Sequence, residues 1–435
     1  MLRSCALACG LLLALPTIAK PALPAAEQRV AAAVQAGTTQ DIALLQRLVE
    51  QNSGTFNPAG VQAVANLLRP QFEALGFTVE WKPMAQTGRA GHLIARHPGN
   101  GKGKRLLLIG HLDTVFEPDN PFTGFHREGN RAFGPGVGDD KGGMVVMLAA
   151  LRGLHAAGAL QAADIEVVLT GDEEDVGTPV AQARADLIAA GKRADAALDF
   201  ENLSHQNGRE MGAIARRSSN EWTLEVHGET GHSAGIFSPA MGDGAAFELA
   251  RILAAFRTAL PEPNLTFNVG LLGSGEQAAF AAGNTRIDAS GKDNIVPGIA
   301  LARGDFRTLT PEQTKRVADK MRAIVNTGNL PRTTATIRIE EHYPPMAPTA
   351  GSRALLARLN GINRDLGWPE MPGADPLSRG AGDIAFVAAD VDGLVGMGIS
   401  GGDAHAAGES VDLDSIPRQA TRAALLMLRL ANTPR

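Results

Sequence analysis

The stretch RLLLIGHLDT, residues 105–114, is the part of the chain that most strongly indicates the fold. It opens with a short apolar run, which is typical of a β-strand buried on both faces of a parallel sheet. His111 and Asp113 follow this run directly. Side chains at the carboxyl end of such a strand face the ligand crevice of an open α/β sheet. The stretch therefore predicts a buried sheet with a polar site at its edge.

Strand and helix signals alternate on both sides of this stretch. Up to residue 216 they predict helices at 40–51, 61–75, 144–157 and 180–191 and strands at 77–81, 105–109, 165–170 and 196–200. Near the carboxyl terminus they predict helices at 354–366 and 416–430 and a strand at 394–399. This alternation predicts an α/β fold in which a mixed, mostly parallel sheet is flanked by helices.

The pattern changes near residue 217. Strands at 221–226, 299–307 and 334–340, each with one polar face, alternate with helices at 244–260 and 311–326. This indicates a smaller α+β domain inserted into the main one. The predicted organisation is a signal peptide at 1–25, the main domain at 26–216 and 343–435, and the inserted domain at 217–342.

The first residues read as a secretory signal. A basic start is followed by an apolar run at 5–18 and by small residues, with a preferred cleavage position near Ala25. The alternatives are a buried N-terminal helix and an uncleaved membrane anchor. Cys5 and Cys9 both fall inside this segment, so the mature chain would contain no disulfide and no cysteine-ligated metal. A periplasmic or secreted location is expected.

Composition limits the partners. The chain has 435 residues, enough for two or three domains, with a net charge of -5 and 4% aromatic residues. Neither a dominant basic surface nor an aromatic stacking platform is expected, which argues against a nucleic-acid partner.

Two polar clusters lie in the first half of the chain. His111 and Asp113 have the spacing in which a carboxylate fixes the tautomer of a metal-ligating imidazole, although a surface ion pair in a loop would look the same. The second cluster, GPGVGDDKGG at 134–143, places Asp139 and Asp140 in a glycine-rich turn, which suits a cation. A phosphate-binding loop is disfavoured because the aspartates would repel phosphate and no strand is predicted directly before the turn.

Three further polar positions each follow a predicted strand. The run GDEED at 171–175 holds the pair Glu173 and Glu174, and its charges repel one another unless a cation compensates them. A solvated acidic turn is the common alternative. Glu201 and His405 follow the other two strands.

These positions are expected to converge, because the carboxyl ends of parallel strands meet at one edge of the sheet. Nitrogen and oxygen ligands without sulfur suit zinc, cobalt or manganese. Two imidazoles and three carboxylates are enough to hold two metal ions with one carboxylate shared. The expected set is His111, Asp139, the Glu173 and Glu174 pair, Glu201 and His405.

The chain resembles the co-catalytic zinc metallopeptidase family of carboxypeptidase G (glutamate carboxypeptidase), aminoacylase, acetylornithine deacetylase and succinyl-diaminopimelate desuccinylase. The matching pieces are GHLDTVF at 110–116, GPGVGDDKGG at 134–143, TGDEED at 170–175, DFEN at 199–202, GETGHSAG at 228–235, NIVPG at 294–298, GDFR at 304–307 and GGDAH at 401–405. The resemblance implies a di-zinc carboxypeptidase that releases a C-terminal amino acid, with glutamate as one candidate, and the signal segment implies that this enzyme is exported. The alternatives are an aminoacylase or deacetylase acting on small N-acyl amino acids and a non-catalytic metal-dependent binding protein.

The resemblance also implies roles by position. They are His111 and Glu201 for one zinc, Glu174 and His405 for the other, Asp139 as the bridge, Asp113 as the residue that orients His111, and Glu173 as the general base. Under this reading Glu173 would take a proton from the attacking water and pass it to the leaving amine.

In this family the inserted domain serves as a lid and often as a homodimer contact. His232 matches the histidine that reaches a neighbouring subunit's site and stabilises the oxyanion, although an ordinary loop histidine would look the same. Asn294 and Arg307 match positions that bind a substrate carboxylate, and Arg209 is a candidate second positive contact. The alternative for Arg307 is a surface ion pair with Asp305 or Glu312.

Two segments depart from the family pattern. Gly242-Asp-Gly244-Ala245 lacks the usual asparagine, which affects the expected start of the inserted domain's first helix. Glu340-Glu-His342 stands where a second basic residue would be expected. The preference for glutamate is therefore open.

Overall fold

The computed structural model describes residues 23–378 and 380–435. Most of the predicted signal peptide, including Cys5 and Cys9, lies outside the described residues. Within the described ranges the helices are α1 Ala25–Glu50, α2 Pro58–Glu73, α3 Lys141–Ala156, α4 Val180–Ala183, α5 Ala185–Arg193, α6 Ala245–Ala259, α7 Pro311–Asn326, α8 Ala350–Leu366 and α9 Ser415–Ala431. None of these helices has the length and apolar character needed to cross a membrane.

The strands are numbered in chain order. They are β1 Thr78–Pro83, β2 Gly91–His97, β3 Arg105–His111, β4 His126–Glu128, β5 Arg131–Phe133, β6 Asp164–Thr170, β7 Ala196–Asp199, β8 Ser204–Gln206, β9 Arg209–Met211, β10 Ser219–Gly228, β11 Gly231–His232, β12 Thr266–Phe267, β13 Leu271–Gly275, β14 Gln277–Phe280, β15 Ile287–Ser290, β16 Ile295–Val296, β17 Ile299–Arg307, β18 Thr333–Tyr343, β19 Gly393–Val395, β20 Gly401–Gly402 and β21 Ser410–Asp412.

The main sheet has the order β1-β2-β6-β3-β7-β19. Strand β2 is antiparallel to both of its neighbours, whereas the β6–β3, β3–β7 and β7–β19 pairs are parallel. Leu106 to Ile109 of β3 are buried on both faces of the sheet. The prediction of a mixed, mostly parallel sheet flanked by helices is therefore confirmed.

Helices α1, α3 and α9 pack together on one face of this sheet. Helix α1 begins at Ala25, well before the predicted residue 40. Its first half is rich in alanine and glutamine, with Val30 and Val34 as its buried apolar side chains. An ion pair of 2.8 Å joins Glu27 to Arg429 of α9. Contacts with distant helices thus stabilise a segment whose own apolar pattern is weak.

A five-stranded antiparallel sheet lies between residues 219 and 343, with the order β12-β17-β10-β18 and with β13 also pairing with β17. Helices α6 and α7 share a hydrophobic cluster with this sheet, and the cluster contains the fully buried Trp222. Helix α7 has the predicted bounds, and Thr310 caps it by accepting a hydrogen bond from the backbone N–H of Gln313. The boundaries proposed for the inserted domain stay a prediction.

Three details differ from the sequence prediction. Strand β5 directly precedes the 134–143 turn and pairs with β4 and β21, so the expectation of no strand there is wrong. The strand expected at 394–399 ends at Val395. The helix expected at 180–191 is divided at Arg184, whose backbone angles are not helical and whose guanidinium is buried.

Candidate active site

His111 is the last residue of β3, and its side chain is buried. Its Nδ1 lies 3.1 Å from the main-chain oxygen of Asp113, and its Nε2 lies 2.9 Å from Oδ1 of Asp139. The first contact fixes the plane of the imidazole. Nε2 therefore faces the cluster of carboxylates at the carboxyl edge of the sheet.

Asp113 is fully buried and binds the loop that follows β6. Its Oδ1 accepts the backbone N–H of Glu173 at 3.0 Å and lies 3.5 Å from Nδ1 of His111. Its Oδ2 accepts the backbone N–H of Glu174 at 3.1 Å and the hydroxyl of Thr55 at 2.7 Å. The side chain predicted to orient His111 thus also holds the two glutamates in place, a function that the sequence did not suggest.

The 134–143 turn carries Asp139 to the same edge, just before α3. A Cβ on Gly143 would lie 2.0 Å from both Oδ1 of Asp140 and the main-chain oxygen of Phe200, so only glycine permits this close approach. Oδ2 of Asp140 accepts the backbone N–H of His111 at 3.3 Å. Asp140 therefore supports the turn from within, while the Asp139 carboxylate faces outward.

Glu409 occupies the main-chain donors of this turn. Its carboxylate accepts the N–H groups of Gly136, Gly138 and Asp139 at 3.0, 2.8 and 2.9 Å. These are the donors that a phosphate-binding loop would offer to its ligand. Because a protein carboxylate already fills them, the structure supports a cation site over a phosphate site.

Asp139 lies between two imidazoles. Nε2 of His111 approaches its Oδ1, and Nε2 of His405 approaches its Oδ2 at 3.1 Å. Nε2 of His405 is also 3.1 Å from Oε2 of Glu174. The ligand atoms form two groups, each within 4.8 Å: His111, Asp139 and Glu201, and Asp139, Glu174 and His405. A carboxylate shared by two groups is the expected arrangement for a bridge between two cations.

The protonation equilibria show how strongly this cluster needs positive charge. Hydrogen bonds to Asp139 and Glu174 raise the pKa of His405 to about 11. Burial lowers the pKa of His111, but hydrogen bonds to Asp113 and Asp139 outweigh it and raise that pKa well above its usual range. Burial raises the pKa of Glu174 to about 7. Protons thus compensate the carboxylates here, and divalent cations would displace them on binding.

The residues present fit a pair of metal ions. Oε1 of Glu174 is buried and has no hydrogen-bond partner within the part of the chain that the structure describes. A buried carboxylate oxygen of this kind is costly unless something charged lies against it. All of the donors are imidazole nitrogens or carboxylate oxygens, the ligands that borderline divalent metals prefer.

Glu173 lines the cleft beside these groups but belongs to neither of them. Burial and the neighbouring Glu201 raise its pKa well above the usual range of a carboxyl group. A carboxyl group with a raised pKa, next to but outside the ligand set, is suited to accept and return a proton. The cleft has a volume of about 340 Å³. It is lined by Asp139, Glu173, Glu174, Glu201, Arg216, Ser219, Arg307, Tyr343, Gly380, Ala381, Ala404 and His405.

Arg216 is a cleft residue that the sequence did not identify. Its guanidinium is buried, and Nη1 lies 3.2 Å from Oε2 of Glu201. It also donates to the main-chain oxygens of Gly380 and Ala381. No motif marks it, because its partners are a residue 15 positions earlier and backbone atoms about 165 positions later.

Arg307 lies at the end of β17 and lines the cleft, so a cation from the inserted domain reaches the candidate site. Its Nε is also 3.3 Å from Oδ2 of Asp305, the ion pair that the sequence offered as an alternative. Arg307 therefore lines the cleft and pairs with Asp305 at the same time. An ion pair that leaves one third of the Arg307 side chain exposed keeps the guanidinium available for a carboxylate ligand.

The structure does not bring the other predicted substrate contacts into this cleft. His232, in β11, and Asn294, directly before β16, are both exposed, with 3.5 Å between Nε2 of His232 and Nδ2 of Asn294. Arg209 begins β9 and lines a separate pocket beside Trp368 and Arg422. The roles given to these three residues stay predictions.

The two departures from the family pattern have local outcomes. Helix α6 still begins at Ala245, preceded by Gly244 at φ +78°, a conformation that glycine adopts without strain. His342 and Glu340 lie close to Glu221 on the inserted sheet, where Arg303 also pairs with Glu221. This cluster already balances its own charge.

Two groups of candidate metal ligands share one carboxylate at the carboxyl edge of a mostly parallel sheet, one group buried and the other open to the cleft through the exposed His405, and this arrangement defines the class of a metal-dependent hydrolase. Residues 107–429 match the family described as peptidase family M20/M25/M40, and the chain belongs to this family. Its members are metal-dependent hydrolytic enzymes.

Individual relatives agree with this assignment. Carboxypeptidase G2 of Pseudomonas sp. (strain RS-16) is 27% identical over 413 residues, which cover 93% of each chain. The aminopeptidase PepT of Bacillus cereus has the same fold, with a TM-score of 0.69 and 17% identity over 91% of this chain and 99% of that one. The YXEP protein of Bacillus subtilis, a dinuclear metal binding peptidase, superposes with a TM-score of 0.63 and 14% identity over 92% and 99% of the two chains.

Proposed function

We propose that this protein is an exported di-zinc carboxypeptidase, similar to carboxypeptidase G, that hydrolyses the amide bond before a C-terminal amino acid. The substrate would be a peptide or an N-acyl amino acid, with glutamate as one candidate. The observation that carries the proposal is the presence of Arg307 in the same cleft as Glu173 and Asp139. A guanidinium there can bind the free carboxylate of a C-terminal residue while the amide bond lies over the metal ligands.

His111, Asp139 and Glu201 would hold one metal, and Asp139, Glu174 and His405 the other. When bound, the ions supply Lewis-acid polarisation of the scissile carbonyl and lower the pKa of the attacking water. Zinc is favoured by the nitrogen and oxygen ligands, although cobalt and manganese suit the same set.

Glu173 would act as the proton shuttle. Its carboxylate takes a proton from the attacking water while the water oxygen bonds to the carbonyl carbon. It then donates that proton to the amide nitrogen as the carbon–nitrogen bond breaks, releasing the amino acid. Asp113 keeps the glutamate within reach by holding its backbone N–H.

The test is turnover by the purified chain loaded with zinc, together with elemental analysis. The panel contains dipeptides, N-acetyl and N-benzoyl amino acids, folate-like glutamate conjugates, and C-terminal amides of the same compounds. We expect two metal ions per chain, hydrolysis of the free acids and little turnover of the amides. Preference for small N-acyl amino acids over dipeptides and conjugates would favour an aminoacylase or deacetylase, and an active metal-free chain would refute the proposal.

Arg307→Met tests the carboxylate contact. With the guanidinium removed, we expect KM for the free acids to rise by about one to two orders of magnitude, since a charge-assisted hydrogen bond is worth about 1.5–3 kcal/mol. The rates on the C-terminal amides should change little. An equal loss of activity on the free acids and on the C-terminal amides would show that Arg307 does not bind the substrate carboxylate.

We also propose a homodimer through the inserted domain, in which His232 enters the partner's cleft. The exposure of His232 and Asn294, and the exposed Phe237 and Phe247 in ring contact nearby, support this arrangement. Mixing inactive His232→Ala and Glu173→Ala chains should then restore roughly a quarter of the activity, because half of the dimers are mixed and each has one complete site. No recovery after subunit exchange would refute the arrangement.

Export to the periplasm or the medium rests on the apolar segment at 5–18. Cell fractionation and mass determination of the mature amino terminus test it, and we expect cleavage near Ala25. A full-length chain recovered from the cytoplasm would contradict this proposal.

A further inference from the structure

Tyr343 connects the inserted domain to the catalytic loop. It is the last residue of β18 and the only tyrosine in the sequence. Its ring is buried, with 5.1 Å between its centroid and that of Phe386. Its hydroxyl donates a hydrogen bond to the main-chain oxygen of Glu173. A side chain at the exit of the inserted domain thus contacts the backbone of the proposed general base.

A carbonyl oxygen can only accept, so the Tyr343 hydroxyl is the donor to Glu173, and this direction is compatible with the contact from Arg184. Nη2 of Arg184 donates to the Tyr343 hydroxyl oxygen at 3.3 Å, so the hydroxyl's own hydrogen is left for Glu173. Arg184 is fully buried and cannot turn away, because it pairs with Asp172 at 2.6 Å and with Asp383 at 2.7 Å. Burial raises the pKa of Tyr343, so the hydroxyl stays protonated as a donor.

The backbone of Glu173 is therefore held from two sides. Asp113, in the loop after β3, accepts its N–H at 3.0 Å. Tyr343, at the end of the inserted sheet, donates to its carbonyl. The first contact comes from the main sheet, whereas the second comes from the last residue of β18.

We propose that Tyr343 is a positioning residue for hydrolysis, whose hydroxyl couples the location of Glu173 to the last strand of the inserted domain. This rests on the proposed function, in which Glu173 shuttles the proton. Tyr343 lies in the cleft, but its hydroxyl is bound to Glu173 and Arg184 and is not free to bind substrate. Its effect is therefore expected on the chemical step and not on substrate binding.

The test is Tyr343→Phe, which removes one oxygen atom and leaves the ring in place. We expect kcat on an amide substrate to fall about three- to tenfold, as expected for one hydrogen bond, with KM and the bound metal unchanged. The loss should be smaller on an ester of the same acid, because an alkoxide leaving group needs less help from a proton donor than an amine does. A merely structural role would lower both rates equally.

Thr310→Ala is the matched control. It also removes a hydroxyl from the inserted domain, at the cap of α7, where the hydroxyl binds Gln313, and Thr310 is not among the described residues that line the cleft. We expect it to lower the melting temperature without changing the ratio of amide to ester rates.

Each possible result for Tyr343→Phe either supports or overturns the proposal that Tyr343 positions Glu173. A lower kcat with a greater loss on the amide supports the proposal. An unchanged kcat, an equal loss on both substrates, or a change in KM or metal content overturns it. A wild-type chain that hydrolyses neither substrate would instead overturn the proposed function itself, and this inference with it.

Discussion

Replacing Glu173 with alanine should remove nearly all hydrolysis and leave both metal ions bound. The side chain lines the cleft, but it is not among the grouped ligand atoms. The backbone of the loop is held through the N–H and the carbonyl of residue 173, by Asp113 and Tyr343, and alanine keeps both groups. The change therefore removes the proton shuttle without displacing its surroundings.

The expected loss of activity in Glu173→Ala follows from the role of Glu173 as the proton shuttle. General acid–base catalysis contributes about 10²–10⁴-fold, which corresponds to about 3–5 kcal/mol at 1.36 kcal/mol for each tenfold change. The same substitution should not reduce the stability of the metal-free protein. Glu173 is a buried carboxyl group whose pKa is raised by burial and by Glu201, so removing it relieves repulsion. The metal-free variant should melt no lower than the metal-free wild type.

The assay compares kcat, metal content and melting temperature for Glu173→Ala and for Asp175→Ala. Asp175 is an exposed acid of the same GDEED run whose carboxylate pairs with Arg89, so its loss should change the rate only slightly. Retention of more than about a tenth of the wild-type rate by Glu173→Ala would refute the shuttle role. Loss of a metal ion would show that Glu173 is a ligand.

Three further outcomes are expected. Chelation should abolish activity and lower the melting temperature, because metal ions that bind only the folded chain stabilise it and their removal leaves the buried Oε1 of Glu174 without a hydrogen-bond partner among the described residues; activity that survives complete metal removal would contradict this. Burial raises the pKa of Asp41 to about 6, against the opposing effect of Arg152. The folded state therefore keeps this proton to higher pH than the unfolded chain does, so the free energy of unfolding falls as the pH rises from about 4 to 6. Measured by urea unfolding, the free energy of unfolding of Asp41→Asn should therefore rise by about 3 kcal/mol relative to that of the wild type between about pH 4 and about pH 6. A difference between the two proteins that does not change with pH would argue against the raised pKa of Asp41. Trp222→Ala should lower the free energy of unfolding by about 3–5 kcal/mol, since the ring is fully buried and meets Phe256 edge to face at 5.8 Å; a loss below about 1 kcal/mol would mean that the cluster repacks.

The sequence by itself determined the parts of this protein that depend on local pattern. The apolar run at 105–109 predicts a buried strand, and the carboxyl ends of parallel strands share one edge. The approach of His111, Glu174 and Glu201 could therefore be predicted without coordinates. The glycine-rich turn before α3 likewise indicated where Asp139 would stand.

Only the tertiary structure decided what holds and surrounds these ligands. Glu409 binds the backbone of a turn about 270 residues earlier, and Tyr343 binds the backbone of Glu173, 170 residues away. Every residue except proline offers a main-chain donor and every residue an acceptor, so such bonds leave no pattern in the sequence. The position of Arg216 in the cleft also leaves no pattern in the sequence, because its guanidinium binds backbone oxygens of a distant loop. The candidate ligand set is thus visible in the sequence, whereas its support is formed only when distant segments pack together.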